Sequence, residues 1–427
     1  MLTVAIAAVT AGLFWLGLCQ CHWKQSAEPR TLLTILVVVG LLCRLGFVFF
    51  TPVFYAPDEE SHYKYVQYLV EKKALPVQTS KLGDYTNDFE YNQPPLYYLI
   101  LTPIFWVRGA GSDGVSATVI LLRLSSVLLW GVNVWLGKVW LKRLEVKDPS
   151  IWVFVMGMIC LLPTYIFVSA VINNDNLLAT LGGGLLCLLA TREQALRTSL
   201  ATGLLLGLAL LAKQSAVVFI PAIAVRAVLD GIQQRVKWGA VLRHLGAVMV
   251  VAALIYSPRA LWSLQVYGTL TPEFLILTPI QWPSFFHGLA SASHNLVKTF
   301  WAVSGITNNV SYPFPLVGML LMALCALAQQ AGKGGARGES NTKLGPSGAM
   351  MWALLIAVFV NVGLVLRFGY LSGMGQGRHL FPVLFPIALV LALGLRPLPI
   401  KNPAVQAVGF WVAYAVIFTV FSLYRFP

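Results

Sequence analysis

The chain has 427 residues, of which 58% are hydrophobic and 11% are charged, and its net charge is +14. Soluble domains carry roughly 25% charged residues, so this composition excludes a soluble protein, and its apolar runs of about 20 residues indicate a polytopic helical membrane protein. The excess of basic over acidic residues reflects the cytoplasmic loops of such a protein, and it does not indicate nucleic acid as a partner.

Apolar segments predict about twelve spans in an all-α bundle, a single membrane domain over residues 1–427 without a soluble domain. In chain order the predicted spans are 1–20, 31–53, 117–140, 150–172, 176–191, 199–212, 214–229, 239–257, 314–330, 349–366, 380–395 and 403–424. The short apolar segment 94–107 is interpreted as interfacial. With that choice every short basic loop falls on one side, the cytoplasmic side, and both termini lie outside.

Two long loops lie on the outer side of this topology. The first, 54–92, follows an apolar run directly, and within it residues 62–73 predict a short amphipathic helix on the membrane. The second, 257–315, is rich in Trp, Tyr, Phe and Pro and is expected to contain interfacial helices. The segment 332–348, rich in Gly, Ser and Lys, is interpreted as a cytoplasmic connector.

Three adjacent carboxylates, Asp58, Glu59 and Glu60, begin the first outer loop directly after Pro57. A solvated run of charges is the ordinary interpretation of such a stretch. Their place at the start of a predicted helix favours the ionised form, because the helix dipole stabilises negative charge there. An ionised carboxylate can accept a proton from a hydroxyl nucleophile. His62 shares a helical face with Asp58 and could orient it or bind phosphate, although a plain surface histidine is the alternative.

Other polar residues remain on the predicted outer side. They are Gln93, Asn173, Asn174, Asp175, Lys213, Arg259, Lys298, Arg367, Arg378 and His379. Several have ordinary alternatives: the turn 173–175 can cap a helical hairpin, Lys213 can be a snorkelling lysine, and Arg259 can be an interfacial anchor. Together the cations oppose the positive-inside trend and predict capture of a phosphate or pyrophosphate.

Other classes of protein and site fit the sequence less well. The six cysteines are scattered through apolar runs and form no Cys-x-x-Cys pair, so neither a disulfide framework nor a zinc site is predicted. A divalent metal on Asp58, Glu59 and Asp175 is a weaker alternative, because no further acidic cluster supports it. A transporter or flippase would place charges near the bilayer midplane, whereas here they gather at one face. A catalytically silent subunit of an envelope-assembly machine is a further alternative.

Six short motifs follow one another along the chain. They are Pro-Asp-Glu-x-x-His-Tyr at 57–63, Gln-Pro-Pro-Leu-Tyr-Tyr at 93–98, Asn-Asn-Asp-Asn-Leu at 173–177, Ala-Lys-Gln-Ser at 212–215, Pro-Arg-Ala-Leu-Trp-Ser-Leu-Gln-Val-Tyr-Gly at 258–268 and Gly-Gln-Gly-Arg-His-Leu-Phe-Pro at 375–382. In this order they resemble the motifs of GT-C type membrane glycosyltransferases. That group includes protein mannosyltransferases and lipid A aminoarabinose transferases.

The resemblance implies a GT-C-like fold and an activity. A sugar would pass, with inversion, from a polyprenyl- or dolichyl-phosphate donor to a lipid, glycan or protein hydroxyl. The reaction would take place at the outer face of a plasma or inner membrane. The resemblance implies Asp58 as the catalytic base and Glu59 as a second acid, with His62 in support. The predicted donor site comprises Lys213, Arg259, Arg378, His379, Gln93, Asn174 and Asp175.

Two features depart from the family pattern. The second block is the motif at 93–98. Some relatives carry a Glu-Lys pair before its first Pro, where this chain has Asn92 and Gln93. Lys213 or Arg378 would then have to replace that lysine. Protein mannosyltransferases also carry a soluble outer domain that is not predicted here, so a lipid, glycan or small acceptor is favoured. Beyond the lipid-linked sugar, no cofactor is predicted.

Overall fold

The structure is a computed structural model that describes residues 29–79, 88–108, 115–191, 195–270, 272, 279–302, 347–395 and 403–424. Every regular element within these ranges is a helix. The α-helices are α1 (Pro29–Phe50), α2 (Glu59–Lys72), α3 (Leu96–Arg108), α4 (Val115–Arg143), α5 (Pro149–Leu161), α6 (Pro163–Val168), α7 (Asp175–Leu189), α8 (Leu196–Ala212), α9 (Phe219–Ile232), α10 (Trp238–Tyr267), α11 (Phe285–Trp301), α12 (Gly348–Ser372), α13 (Leu384–Leu395) and α14 (Pro403–Tyr424). Short 3-10 helices, Gln214–Val218 and Gly377–Val383, lead into α9 and α13.

Seven helical segments within the described ranges are long and apolar enough to cross a membrane, and four shorter apolar helices accompany them. This confirms the predicted all-α, multi-pass membrane fold. The predicted number of spans is not confirmed. Predicted spans 1–20 and 314–330 lie outside the described residues, and those at 176–191 and 199–212 correspond to α7 and α8, of 15 and 17 residues.

Helix α5 lies at the centre of the apolar core. It is hydrophobic on all sides, as a fully surrounded helix must be, and it packs against α1, α13 and α14. The indole of Trp411 lies directly on α5, since a Cβ built on Gly157 would come within 2.3 Å of that ring. The glycine therefore permits the close approach of α14 to α5.

The predicted span at 150–172 is interrupted. Helix α5 ends at Leu161 and α6 begins at Pro163, which has no N–H to continue the helical hydrogen bonds. After Val168 the chain turns and enters α7 at Asp175. A second interruption lies at Lys213, whose extended backbone (φ −160°, ψ 137°) separates α8 from the following 3-10 helix. Both interruptions place polar residues where helices end.

The segment 257–315, predicted as the second outer loop, is helical at its start. The boundary at 257 is wrong, because α10 continues to Tyr267 through Pro258. Pro258 cannot donate to the carbonyl of Leu254, but the Ser257 hydroxyl donates to it at 2.9 Å instead. The helix therefore tolerates the proline, and residues 279–302 contribute α11 further along this segment. Residues 303–315 of the predicted loop lie outside the described residues.

The segment 54–92, predicted as the first outer loop, contains the predicted short helix. The sequence places it at 62–73, and the structure gives α2 as Glu59–Lys72, packed against α3. Residues 80–87 lie outside the described residues. Asp88 Oδ2 accepts hydrogen bonds from the amide and hydroxyl of Thr79, at 2.7 and 2.9 Å, and so joins the two flanks of this segment.

Candidate active site

Four charged residues from distant parts of the chain meet where helices begin or end. Asp58 is the residue before α2, Asp175 is the first residue of α7, Lys213 follows α8, and Arg378 lies in the 3-10 helix before α13. Two ion pairs join these residues, one between Arg378 and Asp58 and one between Lys213 and Asp175. The structure therefore brings the predicted base together with two of the predicted phosphate ligands.

Asp58 occupies an uncommon backbone conformation. Its φ is 62°, in the left-handed region, and its side chain makes no cap hydrogen bond to α2. Its Oδ2 accepts a hydrogen bond from Nη2 of Arg378 instead. Burial alone would raise the pKa of Asp58, but the charge and hydrogen bond of Arg378 keep it below its usual value. This carboxylate is ionised at neutral pH.

Asp175 connects the two cations. Lys213 Nζ lies 2.6 Å from Asp175 Oδ1, and Arg378 Nε lies 3.8 Å from Asp175 Oδ2. The side chain of Asn173 accepts the amide of Asp175 at 2.8 Å and so fixes the start of α7. The N-cap residue itself, Asn174, makes no side-chain capping bond, so Asn173 holds the start of the helix while Asp175 takes part in the cluster.

Neutral polar groups form a second side of the cluster. His62 Nδ1 lies 2.9 Å from the Tyr98 hydroxyl, and the two rings stack. Asn174 Nδ2 lies 3.5 Å from that hydroxyl and 3.4 Å from Oε1 of Gln93, while its own Oδ1 accepts from Lys213 at 3.4 Å. Burial lowers the pKa of His62 to about 4 despite the nearby Asp58 carboxylate, so the imidazole is neutral at pH 7.

Glu90 belongs to the site, although the sequence analysis did not select it. Its φ is 68°, and its side chain hydrogen-bonds with Gln93. Burial, and then the charge of Asp58, raise the pKa of Glu90 to about 7. Its position just before the Gln-Pro-Pro motif could have indicated this, because Gln93 of that motif contacts Asn174 in the same cluster.

Glu59, the predicted second acid, is separated from this cluster. It is fully buried and forms a bidentate pair with Arg123 of α4, with Nε–Oε1 2.8 Å and Nη2–Oε2 2.7 Å. Its Oε1 also accepts the amide of Ile172 at 3.3 Å. Arg123 donates in addition to the carbonyls of Val48, Thr51 and Pro52. Glu59 therefore joins α1, α4 and the turn before α7, and its carboxylate is committed to those contacts.

Arg259 contacts the backbone of the segment that carries Gln93. Its guanidinium donates to the carbonyl of Asn92 at 2.6 Å and stacks over Trp262 at 4.5 Å. The Tyr65 hydroxyl donates to the next carbonyl, that of Gln93, at 3.0 Å. These contacts hold the backbone that carries Gln93. The observed position of Arg259 is therefore beside the second block and not against Asp58.

The remaining predicted cations differ in their surroundings. His379 follows Arg378, its ring packs edge-on against Phe368 at 5.8 Å, and its carbonyl accepts from Asn361. Lys298 is partly exposed on α11, and Arg367 is exposed on α12. The structure places His379 next to the cluster, and it places Lys298 and Arg367 on the later helices α11 and α12.

A narrow cavity opens beside the Asp58–Arg378 pair. It is lined by Pro57, Thr164, Phe167, Val168, Val171, Thr299, Gln376 and Arg378. Half of these residues, Thr164, Phe167, Val168 and Val171, belong to α6 and the turn after it. A mostly apolar cavity with Arg378 in its lining suits a molecule that has an apolar chain and an anionic head.

Comparisons with known proteins gave matches to solved structures and none to family models or curated sequences. The chain is similar to ArnT from Cupriavidus metallidurans, with 16% identity and a TM-score of 0.41 in the apo state, and 14% and 0.44 for ArnT bound to undecaprenyl phosphate. Both alignments cover 89% of this chain and 77% of that chain.

A third structure gives a higher TM-score. It is the archaeal oligosaccharyltransferase AglB from Archaeoglobus fulgidus, in complex with an inhibitory peptide and a dolichol-phosphate. The identity is 15% and the TM-score is 0.53, over 94% of this chain and 56% of AglB. The chain thus spans little more than half of AglB. At this identity the likeness concerns the fold, which is that of the GT-C type membrane glycosyltransferases.

Proposed function

We propose that this chain is a membrane glycosyltransferase that moves a sugar from a polyprenyl-phosphate donor to a hydroxyl acceptor, with Asp58 as the base. The observation that carries the proposal is the Asp58–Arg378 pair, a carboxylate and a cation held together beside the cavity. The adjoining Asp175–Lys213 pair adds a second cation at the same place. Acid–base chemistry and phosphate binding thus have their groups within one cluster.

The cations would bind the phosphate of the donor. Arg378 presents a planar guanidinium suited to two phosphate oxygens, and Lys213 adds a point charge. Each is paired with a carboxylate in the structure, so an arriving phosphate competes with Asp58 for Arg378. Both cations also stabilise the negative charge that builds on the phosphate as the glycosidic bond breaks.

Asp58 would remove the proton of the acceptor hydroxyl. The hydroxyl oxygen then forms a bond to the anomeric carbon, while the bond from that carbon to the phosphate oxygen breaks. The electron pair leaves with the polyprenyl phosphate, and the proton remains on Asp58. Attack from the face opposite the phosphate inverts the configuration. Support comes from the lowered pKa of Asp58, which keeps it ionised and ready to accept a proton.

Donor binding would free Asp58 from Arg378, and this would couple donor binding to proton removal by Asp58. A base held by Arg378 is a weak proton acceptor, because the cation stabilises the ionised form. When a phosphate takes over Arg378, the proton affinity of Asp58 rises. The partly buried Glu90, with a pKa of about 7, would set how much negative charge the site already holds before the donor arrives.

We assign the site to the extracytoplasmic face of a plasma or inner membrane. Arg123, near the start of α4, contacts the end of α1 just before Asp58. The same helix ends with Lys142 and Arg143, about thirty Å further along at 1.5 Å per residue. The basic end is the one expected in the cytoplasm, which supports an outer position for the cluster.

The proposal is tested by incubating the purified chain in lipid nanodiscs with a panel of polyprenyl-phosphate sugars and a lipid and glycan acceptor pool. Mass spectrometry should find one sugar mass on an acceptor, together with an equal amount of free polyprenyl phosphate. Binding of the donors without any transfer would instead indicate a catalytically silent protein. Movement of the donors between leaflets without transfer would indicate a flippase.

A further inference from the structure

Arg44 is a fully buried arginine in the second half of α1, six residues before its end and outside the site described above. Charge at this depth of a membrane span is costly and rare. Within the described part of the chain, its hydrogen bonds go to neutral groups: the carbonyls of Gly40 and Cys160 and the hydroxyl of Ser169. The partners are thus backbone and hydroxyl oxygens, which indicates that the arginine holds the backbone of neighbouring segments.

Two of the groups around Arg44 belong to the interruption between α5 and α6. Because Pro163 has no N–H, the carbonyl of Ile159 loses its helical donor, and the indole of Trp130 donates to it at 3.2 Å. The next carbonyl, that of Cys160, accepts from Nη1 of Arg44 at 2.7 Å. A cation at this position also faces the negative end of the α5 dipole. The helix interruption is therefore satisfied by side chains from α1 and α4.

The same guanidinium reaches the far end of α6. Nε of Arg44 donates to the hydroxyl of Ser169 at 2.7 Å, and that hydroxyl donates to the carbonyl of Tyr165. The guanidinium lies 4.0 Å over the ring of Trp130 and 5.6 Å from that of Tyr165. A lysine could keep the charge, but it lacks the planar fork that makes these contacts together.

Close packing of α1 on the interruption depends on Gly40. A Cβ there would lie 2.7 Å from the carbonyl oxygen of Cys160 and 3.2 Å from Nη1 of Arg44. The first distance is too short for a real contact. Gly40 and Arg44, one helical turn apart, thus form a single surface against the end of α5.

Ser169 begins the turn that delivers Asp175. Further along this turn, Ser126 donates to the carbonyl of Val171 at 2.8 Å, and the amide of Asn173 donates to the Tyr97 hydroxyl at 3.0 Å. Asp175 follows and binds Lys213. Arg44 is the contact that fixes the first residue of this turn from the membrane interior.

We propose that Arg44 is a positioning residue: it clamps the interruption after α5 to Ser169, so that the turn 169–174 presents Asp175 to Lys213. The effect on donor binding rests on the proposed function, in which Lys213 binds phosphate. The effect on the turn itself does not. Arg44 acts through Ser169 and Asp175 and does not touch the substrate.

Hydrogen–deuterium exchange of residues 169–176 in nanodiscs tests the clamp without any assay of transfer. Arg44→Lys and Arg44→Met should speed this exchange by about tenfold, which corresponds to losing a hydrogen bond to a charged group. Arg143→Met is the control, since Arg143 donates to the carbonyl of Cys187 near the other end of α7. Unchanged exchange in both Arg44 variants, relative to Arg143→Met, overturns the proposal.

Two smaller substitutions distinguish loss of this contact from general misfolding. Ser169 and Ser199 are both buried, and each bonds a side chain on another helix, Ser199 through His244 at 2.8 Å. Ser169→Ala should speed exchange in 169–176 in the same direction, and Ser199→Ala should not. Equal exchange in these two alanine variants contradicts the clamp.

Binding of undecaprenyl phosphate supplies the functional readout. Its dissociation constant should rise in the Arg44 and Ser169 variants, while Arg143→Met and Ser199→Ala keep the wild-type value. If the wild-type chain does not bind this lipid, the proposed function fails, whereas the exchange result still decides the clamp. Faster exchange with unchanged lipid affinity would contradict the link from Arg44 to the phosphate site.

Discussion

The guanidinium of Arg378 donates a hydrogen bond to the carboxylate of Asp58, although the two residues are 320 positions apart in the chain. Asp58 is in the left-handed region at φ 62°, which costs of order 1 kcal/mol or more for a residue with a side chain. The conformation turns the carboxylate away from the α2 amides and toward Arg378. A capping contact is thereby exchanged for an ion pair beside the cavity.

Removing the cation should change both the rate and its pH dependence. Arg378→Gln should lower transfer by about 10²- to 10³-fold, the loss expected for one group that stabilises charge in the transition state. Because Arg378 keeps the pKa of Asp58 low, its removal should raise that pKa and move the acid limb of the pH–rate profile to higher pH.

The control for this variant is Arg367→Gln, which removes the same charge from the exposed face of α12. It should leave both the rate and the acid limb unchanged. An unshifted acid limb in Arg378→Gln would show that Arg378 does not set the ionisation of the catalytic base.

Glu90 should weaken donor binding as the pH rises. Its pKa of about 7 is raised, so it is largely protonated below that pH and negatively charged above it. An added negative charge next to Lys213 and Arg378 opposes a phosphate. The donor KM of the wild-type chain should therefore increase as the pH rises through about 7, and Glu90→Gln should remove this step.

Asp88→Asn is the matched control, because Asp88 lies on the same loop but binds Thr79. This variant should retain the increase in KM. A step that persists in Glu90→Gln would assign the titration to another group.

The pair of Glu59 and Arg123 should matter for stability. Both side chains are at most 1% exposed, and breaking a buried ion pair on one side costs about 3–5 kcal/mol. Arg123→Met also abandons three backbone carbonyls at the end of α1, so it should lower the thermal unfolding temperature more than Glu59→Gln does. Thermal unfolding at a fixed scan rate in detergent measures both. Equal unfolding temperatures for both variants and the wild type would refute this role.

The loop that carries Arg378 requires a glycine at position 377. A Cβ there would lie 2.2 Å from backbone atoms of Phe300, which cannot move away as a side-chain tip could. The amide of Gly377 also donates to the Thr299 hydroxyl at 2.6 Å. Gly377→Ala should therefore reduce transfer strongly, with overpacking of about 1–3 kcal/mol in unfolding free energy.

Gly363→Ala serves as its control, because nothing lies within 4 Å of the added methyl group on α12. It should be neutral or slightly stabilising, since alanine favours a helix more than glycine does. Wild-type transfer by Gly377→Ala would contradict the close approach of α11 to this loop.

The class of fold, and the residues that meet in the charged cluster, could be selected from the sequence for a physical reason. Charge is scarce in this chain, so Asp58, Asp175, Lys213 and Arg378 stood out as groups that the cytoplasmic loops did not absorb. The helix interruptions that carry them follow from proline and polar residues at span ends. The distances between them depend on how the spans pack, which a single sequence does not show.

Other site residues could not be placed in this way. Glu59 and Asp58 are adjacent, but the backbone at Asp58 sends their carboxylates to different partners, Arg123 and Arg378. Arg44 and Arg123 lie inside apolar helices, where a charge is itself a signal. That signal was present in the sequence, and their roles as bridges to backbone carbonyls needed the structure.

The most direct test of the account is transfer by Asp58→Asn, measured with the donor that the wild-type chain uses. The change keeps the shape of the side chain and removes its ability to accept a proton. The account predicts a loss of about 10²- to 10⁴-fold in kcat with an unchanged unfolding temperature. Glu60→Gln, which alters the exposed neighbour that pairs with Lys64, should keep the wild-type rate. Wild-type turnover by Asp58→Asn would contradict the assignment of Asp58 as the base.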